Sequence, residues 1–152
     1  MEPKIITYQP QYKQHFIDLN TAWLEEYFFV EQHDKEVFEN IEEVVLKPGG
    51  EIFFCLLDDE VVGTVAMQKV NDSVIEMAKL AVDKKHQGKK LGNLLVDACI
   101  DFARKNNYKT LMLVSSTKLN TALNLYRKYG FTETPLEETD YHRADIQMEL
   151  YL

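Results

Sequence analysis

Apolar positions recur along this chain with two spacings, and the switches between them divide it into elements. Lys4 to Tyr8 is a short strand candidate, closed by Pro10. From Tyr12 to Phe28 the spacing becomes helical, with Phe16, Leu19, Trp23 and Tyr27 on one side. A second helix is predicted over about Lys35 to Leu46, with Val37, Ile41, Val44 and Val45 together and Asp34 as its N-cap. Lys47-Pro48-Gly49-Gly50 stops it, since proline and paired glycine break helices.

Period two then returns. Glu51 to Leu57 and Val61 to Val70 are joined by the tight turn Asp58-Asp59-Glu60, and Asn71-Asp72 turns the chain again into Ser73 to Val82. These three form an antiparallel meander. Leu91, Leu94, Leu95, Ala98, Cys99 and Phe102 trace an amphipathic helix that Asn106-Asn107 ends. Lys109 to Val114 is a strand, and its arrival after a helix predicts a parallel crossover from the strand before. A further helix, about Leu119 to Tyr129, sets Ala122, Leu125, Tyr126 and Tyr129 on one face, with Gly130 after it. Phe131 to Thr134 is a short strand, Thr134 to Tyr141 an acidic loop. In the last segment Ile146, Met148, Leu150 and Leu152 alternate with polar residues, as in a half-buried strand that is able to pair across a dimer. The expectation is one domain over residues 1–152, of mixed α+β class rather than strictly alternating and doubly wound.

Charge narrows the function. At a net charge of -8 the chain lacks the basic face that a nucleic-acid partner demands. Yet Lys79, Lys84, Lys85, Lys89 and Lys90 put five of its seventeen basic residues into twelve positions, a local site suited to a small polyanion. Cys55 and Cys99 sit in apolar surroundings, which predicts buried thiols rather than a disulfide framework. The start, Met1 to Lys4, is no signal segment, and no apolar run nears the ~20 residues of a membrane span, so a cytoplasmic protein without membrane contact is expected. His33, His86 and His142 are scattered, and no metal site is predicted.

The lysines concentrate in Val82-Asp83-Lys84-Lys85-His86-Gln87-Gly88-Lys89-Lys90-Leu91-Gly92, where a strand pattern gives way to a helix. Free amides and the positive end of the helix dipole make such a turn an anion site. The turn is neither a P-loop nor a dinucleotide fingerprint. Gln87-Gly88-Lys89-Lys90-Leu91-Gly92 resembles the [RQ]-x-x-[GA]-x-[GA] signature of the GNAT superfamily of CoA-dependent N-acetyltransferases, departing from it at Lys90, where a small residue is usual. Ala122 to Phe131 is similar to the second motif of that family, A-x-x-L-Y-x-K-x-G-F. The element order matches over nearly the whole chain.

The resemblance implies a central, mostly antiparallel twisted sheet of six to seven strands with helices on both faces. It implies acetyl-CoA as cosubstrate, with its pyrophosphate on the backbone of Gln87, Gly88, Lys89, Lys90, Leu91 and Gly92. The pantetheine arm would pair like an added strand near Leu80 and Val82, where the fourth and fifth strands splay. Asn120 stands one place from the family's asparagine. Tyr126 falls where the motif places the tyrosine facing the departing sulfur, hence a general acid.

Attack of an amine on a thioester also needs a base. Strict alternation would put Val74, Glu76, Ala78, Leu80 and Val82 on one face of the fourth strand, and Glu76, a lone carboxylate among apolar neighbours, is the candidate. Glu25 to Glu43 carries eight acids against Lys35; a solvated helix face or an attraction for a cationic amine accounts for them. Trp23, Tyr27 and Phe28 are core residues or walls of an acceptor pocket. The expected activity is direct acetyl transfer to a primary amine, small molecule or peptide, by a monomer or homodimer. The rivals are a non-catalytic acyl-CoA-binding regulatory domain and a binder of another anion.

Overall fold

The continuous apolar run over residues 52–56 needs a sheet with both faces covered, and seven strands supply one, in the order β1-β2-β3-β4-β5-β7-β6. The computed structural model describes residues 2–137, 139 and 141–152. The strands are β1 (Lys4–Thr7), β2 (Glu51–Leu57), β3 (Glu60–Lys69), β4 (Val74–Val82), β5 (Thr110–Ser115), β6 (Thr132–Thr134) and β7 (Ile146–Tyr151). Every neighbouring pair is antiparallel except β4 with β5. The parallel pair comes from the predicted crossover through a helix. The acidic loop expected from Thr134 to Tyr141 includes Glu138 and Asp140, which with Met1 lie outside the described residues.

Four helices cover the sheet, α1 (Lys13–Tyr27), α2 (Gln32–Glu39), α3 (Leu91–Lys105) and α4 (Asn120–Lys128). Leu91, Leu95, Val96 and Cys99 of α3 and Leu123 of α4 pack with Cys55, Val65, Ile75 and Leu111 on one face. Phe16 and Leu24 of α1 and Val37 and Phe38 of α2 pack with Ile52, Phe54 and Ala66 on the other. Among the described residues no helix is long and apolar enough to cross a membrane.

Three expectations need correction. The second helix starts at Gln32, its N-cap is Glu31, and Asp34 lies inside its first turn. It also breaks at Asn40, after which Glu42–Leu46 forms a π-helical turn. This rotates Val44 to the surface while Ile41 and Val45 stay buried. The last strand is not an open edge for a dimer, because β7 is paired on both sides, by β5 and by β6.

The π turn closes onto β2 through Gly50, whose amide donates to the Val45 carbonyl at 2.9 Å. A Cβ at this position would be driven into the backbone carbonyl oxygens of Val45 and Met67. Backbone cannot step aside as a flexible side chain does. Gly50→Ala is therefore expected to destabilise the fold by about 3 kcal/mol, read as a lowered urea midpoint at unchanged m-value. Gly88→Ala in the open turn has no such clash and would feel only its positive φ.

Candidate active site

The pairing of β4 with β5 is brief. It runs through Val74↔Thr110, Ile75↔Leu111 and Glu76↔Met112 and then ends, although both strands continue. The strands part like the arms of a Y, and a cleft of about 1080 Å³ opens between them. Met77 to Leu80 lines one arm and Leu113 to Ser116 the other.

The β4 arm carries a bulge. Ala66 pairs with Ala78 and Thr64 with Ala81, so Lys79 and Leu80 together oppose Val65. Lys79 takes the left-handed conformation there, with φ 58. One inserted residue reverses the alternation beyond it. The predicted single face is thus two faces. Ala78, opposite Ala66, stays with Glu76 on the α1/α2 side, whereas Leu80 and Val82 pack with the α3 core.

Below the fork the chain enters the basic turn. A short 3-10 turn (Lys84–His86) leads to Gly88 at φ 84 and Lys90 at φ 61, and α3 begins. Lys90 is the N-cap, and no side chain caps the helix. The first-turn amides therefore lack intrahelical acceptors, and no acid occupies that turn. Lys90 holds the usually small position in a left-handed conformation that glycine adopts more readily. A Cβ on Gly92 would meet nothing closer than Leu125 at 3.8 Å, so packing within the chain does not require that glycine. An anion held against the backbone would. Leu80, Val82, Gln87, Gly88, Lys90, Leu91, Gly92 and Asn120 line the cleft; Lys89 does not. Lys84 bridges to Glu26 at 3.1 Å, tying the turn to α1.

Tyr126 and Glu76 approach the same cleft from different elements. Tyr126 projects from α4 into the α3 core, packs against Phe131 at 5.8 Å, and is only 8% exposed. Among the described residues its hydroxyl has no hydrogen-bond partner. Burial, and the nearby Cys99 thiol, push its pKa well above the ordinary phenol value, so it stays protonated at neutral pH. Glu76 is half-buried at the fork, between Gln68 and Met112. Its charge acts on the Lys79 ammonium, while Lys69 is paired with Asp72 at 3.1 Å. Trp23, Tyr27 and Phe28 form an aromatic wall, with ring centroids 5.3 and 5.8 Å apart from the indole. Cys55 and Cys99 are buried away from the cleft lining.

A buried ionic cluster at the α2 end of the cleft is absent from the sequence reading. The Asp34 carboxylate is 0% exposed. It accepts from the Glu31 amide at 2.9 Å, the reciprocal bond of a capping box. Arg143 grips it with two parallel bonds, Nη1 to Oδ2 at 2.8 Å and Nη2 to Oδ1 at 2.9 Å. Arg143 Nη1 also donates to Glu31 at 3.0 Å, and Lys79 Nζ donates to Asp34 at 2.6 Å and to the Tyr141 hydroxyl at 3.0 Å. Burial alone would raise the Asp34 pKa, but the bonds from Arg143 and Lys79 outweigh it and hold the carboxyl at about 2. Lys79 goes the other way, since its own desolvation exceeds the attraction of Asp34. Two of the eight acids taken for a solvated face are thus structural anions. The cationic partners of Asp34 lie 45 and 109 residues away and that of Glu31 112, beyond the reach of local pattern. The usable signal was the three-residue spacing of Glu31 and Asp34 before an apolar run.

Known proteins supply a frame for this geometry. A family model described as "Acetyltransferase (GNAT) family" matches residues 17–131. An N-acetylaspartate synthetase of Danio rerio is 34% identical over 104 residues, covering 67% of this chain and 36% of that protein. The chain thus spans about a third of the length of the curated relatives it matches. A crystal structure of a GNAT acetyltransferase from Staphylococcus aureus Mu50 superposes with a TM-score of 0.88 at 22% identity, covering 99% of both chains. One from Elizabethkingia anophelis, with acetyl-CoA bound, superposes at 0.73 with 20% identity, over 99% of this chain and 98% of that one.

The ionic cluster makes its own expectations. Asp34→Ala strands two buried cations and should cost about 3–5 kcal/mol in chemical denaturation. Asp34 has a depressed pKa in the folded state, so its contribution is complete above the unfolded value near 4 and fades as pH falls toward about 2. An Asp34→Asn protein should lose that acid-limb dependence of stability between about pH 4 and 2.

Proposed function

The chain belongs to the GNAT acetyltransferase family, and from that premise we propose that it transfers acetyl from acetyl-CoA to a primary amine by direct attack, with no covalent enzyme intermediate. The observation that carries this reading is the fork. Past Glu76↔Met112, β4 offers unpaired backbone to the cleft, with an uncapped helix N-terminus below it and Tyr126 beside it. A ligand with an anionic end and an amide-bearing arm fits that sequence of features.

Acetyl-CoA supplies the activated acyl group, and the chain supplies placement and proton transfer. First-turn amides of α3 and the backbone of Gln87, Gly88 and Lys90 to Gly92 hold the pyrophosphate, with the helix dipole favouring its charge. Lys89 stays outside the cleft and adds field rather than contact. The β4 edge near Leu80 and Val82 pairs with the pantetheine arm as an added strand would. Tyr126, kept protonated by burial, gives a proton to the departing thiolate. Glu76, at the fork and on the α1/α2 side, takes one from the attacking amine, directly or through water. Both cysteines are buried off the cleft, which favours direct attack over an acetyl-thiol intermediate.

Calorimetry with acetyl-CoA, CoA and ATP should show acetyl-CoA and CoA bound in preference to ATP. Consumption of acetyl-CoA should rise when a panel of amines is added. Tyr126→Phe is expected to lower kcat by about 10²-fold while acetyl-CoA binds within a few-fold of the parent, and Glu76→Gln to lower kcat/KM by a similar factor. Turnover of Tyr126→Phe at the parent rate would remove the acid role. Tight CoA binding with no amine stimulation would leave a regulatory domain instead.

A further inference from the structure

The acceptor end of the cleft has an unexpected charge. Its single acid among the described residues is Glu76, although the neighbouring helices are rich in acids. Glu31 and Asp34 do not reach it; they sit behind Arg143, which does. The Arg143 side chain retains 15% of its exposure, against 4% and 0% for the two carboxylates. A layer of anion lies behind a cation that faces the ligand space.

A guanidinium has five N–H donors in a planar fork. Three hydrogen bonds to Glu31 and Asp34 use both Nη1 positions and one of Nη2. The edge made by Nε–H and the second Nη2–H takes no partner among the described residues. That edge is one of the two on which arginine receives a carboxylate with paired bonds. The side chain is already immobilised: Asp34 holds the adjoining edge through Nη1 and Nη2, and the Tyr141 ring stacks on it at 4.2 Å. Little entropy remains to be lost when a second anion docks.

We infer that the acceptor is an amine that also bears a carboxylate, and that Arg143 is the residue that selects it. The carboxylate takes the open edge of Arg143, which leaves the amine of a compact amino acid to point toward Glu76 at the fork. Lys79 lies behind, with its side chain 4% exposed, and steadies Asp34 rather than touching the ligand. This runs against the attraction for a cationic amine that was one of two accounts of the acidic helices. It rests on the acetyltransferase reading above and adds the chemical class of the acceptor.

The test compares each of a panel of α-amino acids with its own amide, and with diamines of matched length, as acetyl acceptors of the intact chain. In parallel, calorimetry measures the N-acetyl amino acids and N-acetyl amino-acid amides on the protein saturated with CoA. At least one acid should exceed its amide by about tenfold or more in kcat/KM or in affinity, the worth of a hydrogen-bonded charge pair. Arg143→Lys keeps the charge and loses the fork. It should raise KM for the acid by about tenfold while kcat and the handling of the amide change little. Arg143 also holds Asp34, so an Arg143→Lys protein that fails to fold leaves the decision to the acid-against-amide comparison on the unaltered chain. Amides or diamines handled as well as acids in both measurements would overturn the inference alone. Failure to bind CoA at all would overturn the acetyltransferase reading, and this inference with it.

Discussion

Backbone amides and carbonyls must be paired or wetted, and this constraint governs what happens where β4 and β5 separate. Two parallel strands in the middle of a sheet normally share hydrogen bonds along their whole overlap. Here they share them only as far as Glu76 and Met112. Beyond that point, among the described residues, the β4 arm has a strand partner on the β3 side and none on the other. A gap of that kind in a closed core would be costly. It is tolerable because it opens into a cleft deep enough for water or ligand. The bulge at Lys79 belongs to the same solution. It lets the arm bend away and moves Leu80 and Val82 onto the α3 core, while Ala78 remains on the opposite face.

A polar cluster ties the β4 arm to α2 and to the segment before β7. Asp34 binds a lysine from the bulge and an arginine from the segment before β7, so one carboxylate spans the α1/α2 side of the fork. Such a cluster is a poor source of net stability, since its desolvation consumes most of the attraction. Its value is geometric. Apolar packing accepts slippage, whereas a bidentate pair accepts one arrangement. On the reading given above, the same arginine that is positioned in this way then positions the acceptor.

Periodicity alone was sufficient for the strands, for α1 and α3, and for the parallel crossover. These elements are amphipathic on the scale of a few residues, and their neighbours in sequence are their neighbours in space. Two motifs pointed to the turn from Gln87 to Gly92 and to Tyr126, and all of these but Lys89 line one cleft; each motif sits on a single element. Legibility ended where geometry is decided across the sheet. Strict alternation placed Glu76 and Leu80 on one face, and a single left-handed residue at Lys79 separated them. The helix boundary at Asp34 was missed because the capping partner three residues earlier is a glutamate rather than the commoner serine or threonine. Arg143 drew no attention at all, since its role exists only through partners more than a hundred residues away.

That separation has a bearing on the order of assembly. The turn beneath α3 is made by consecutive residues, a strand end and a helix start, and such contacts form with little loop-closure entropy. The far end of the cleft joins α2 to a segment 109 residues later, and the chain between them must already be folded for the two to meet. The half of the cleft that suits a pyrophosphate is therefore competent early. On the reading proposed above, the half that would hold the acceptor depends on contacts of much longer range. Destabilising changes in the last strand should accordingly erode the second half first, which makes the two substrates unequal reporters of how completely the protein has folded.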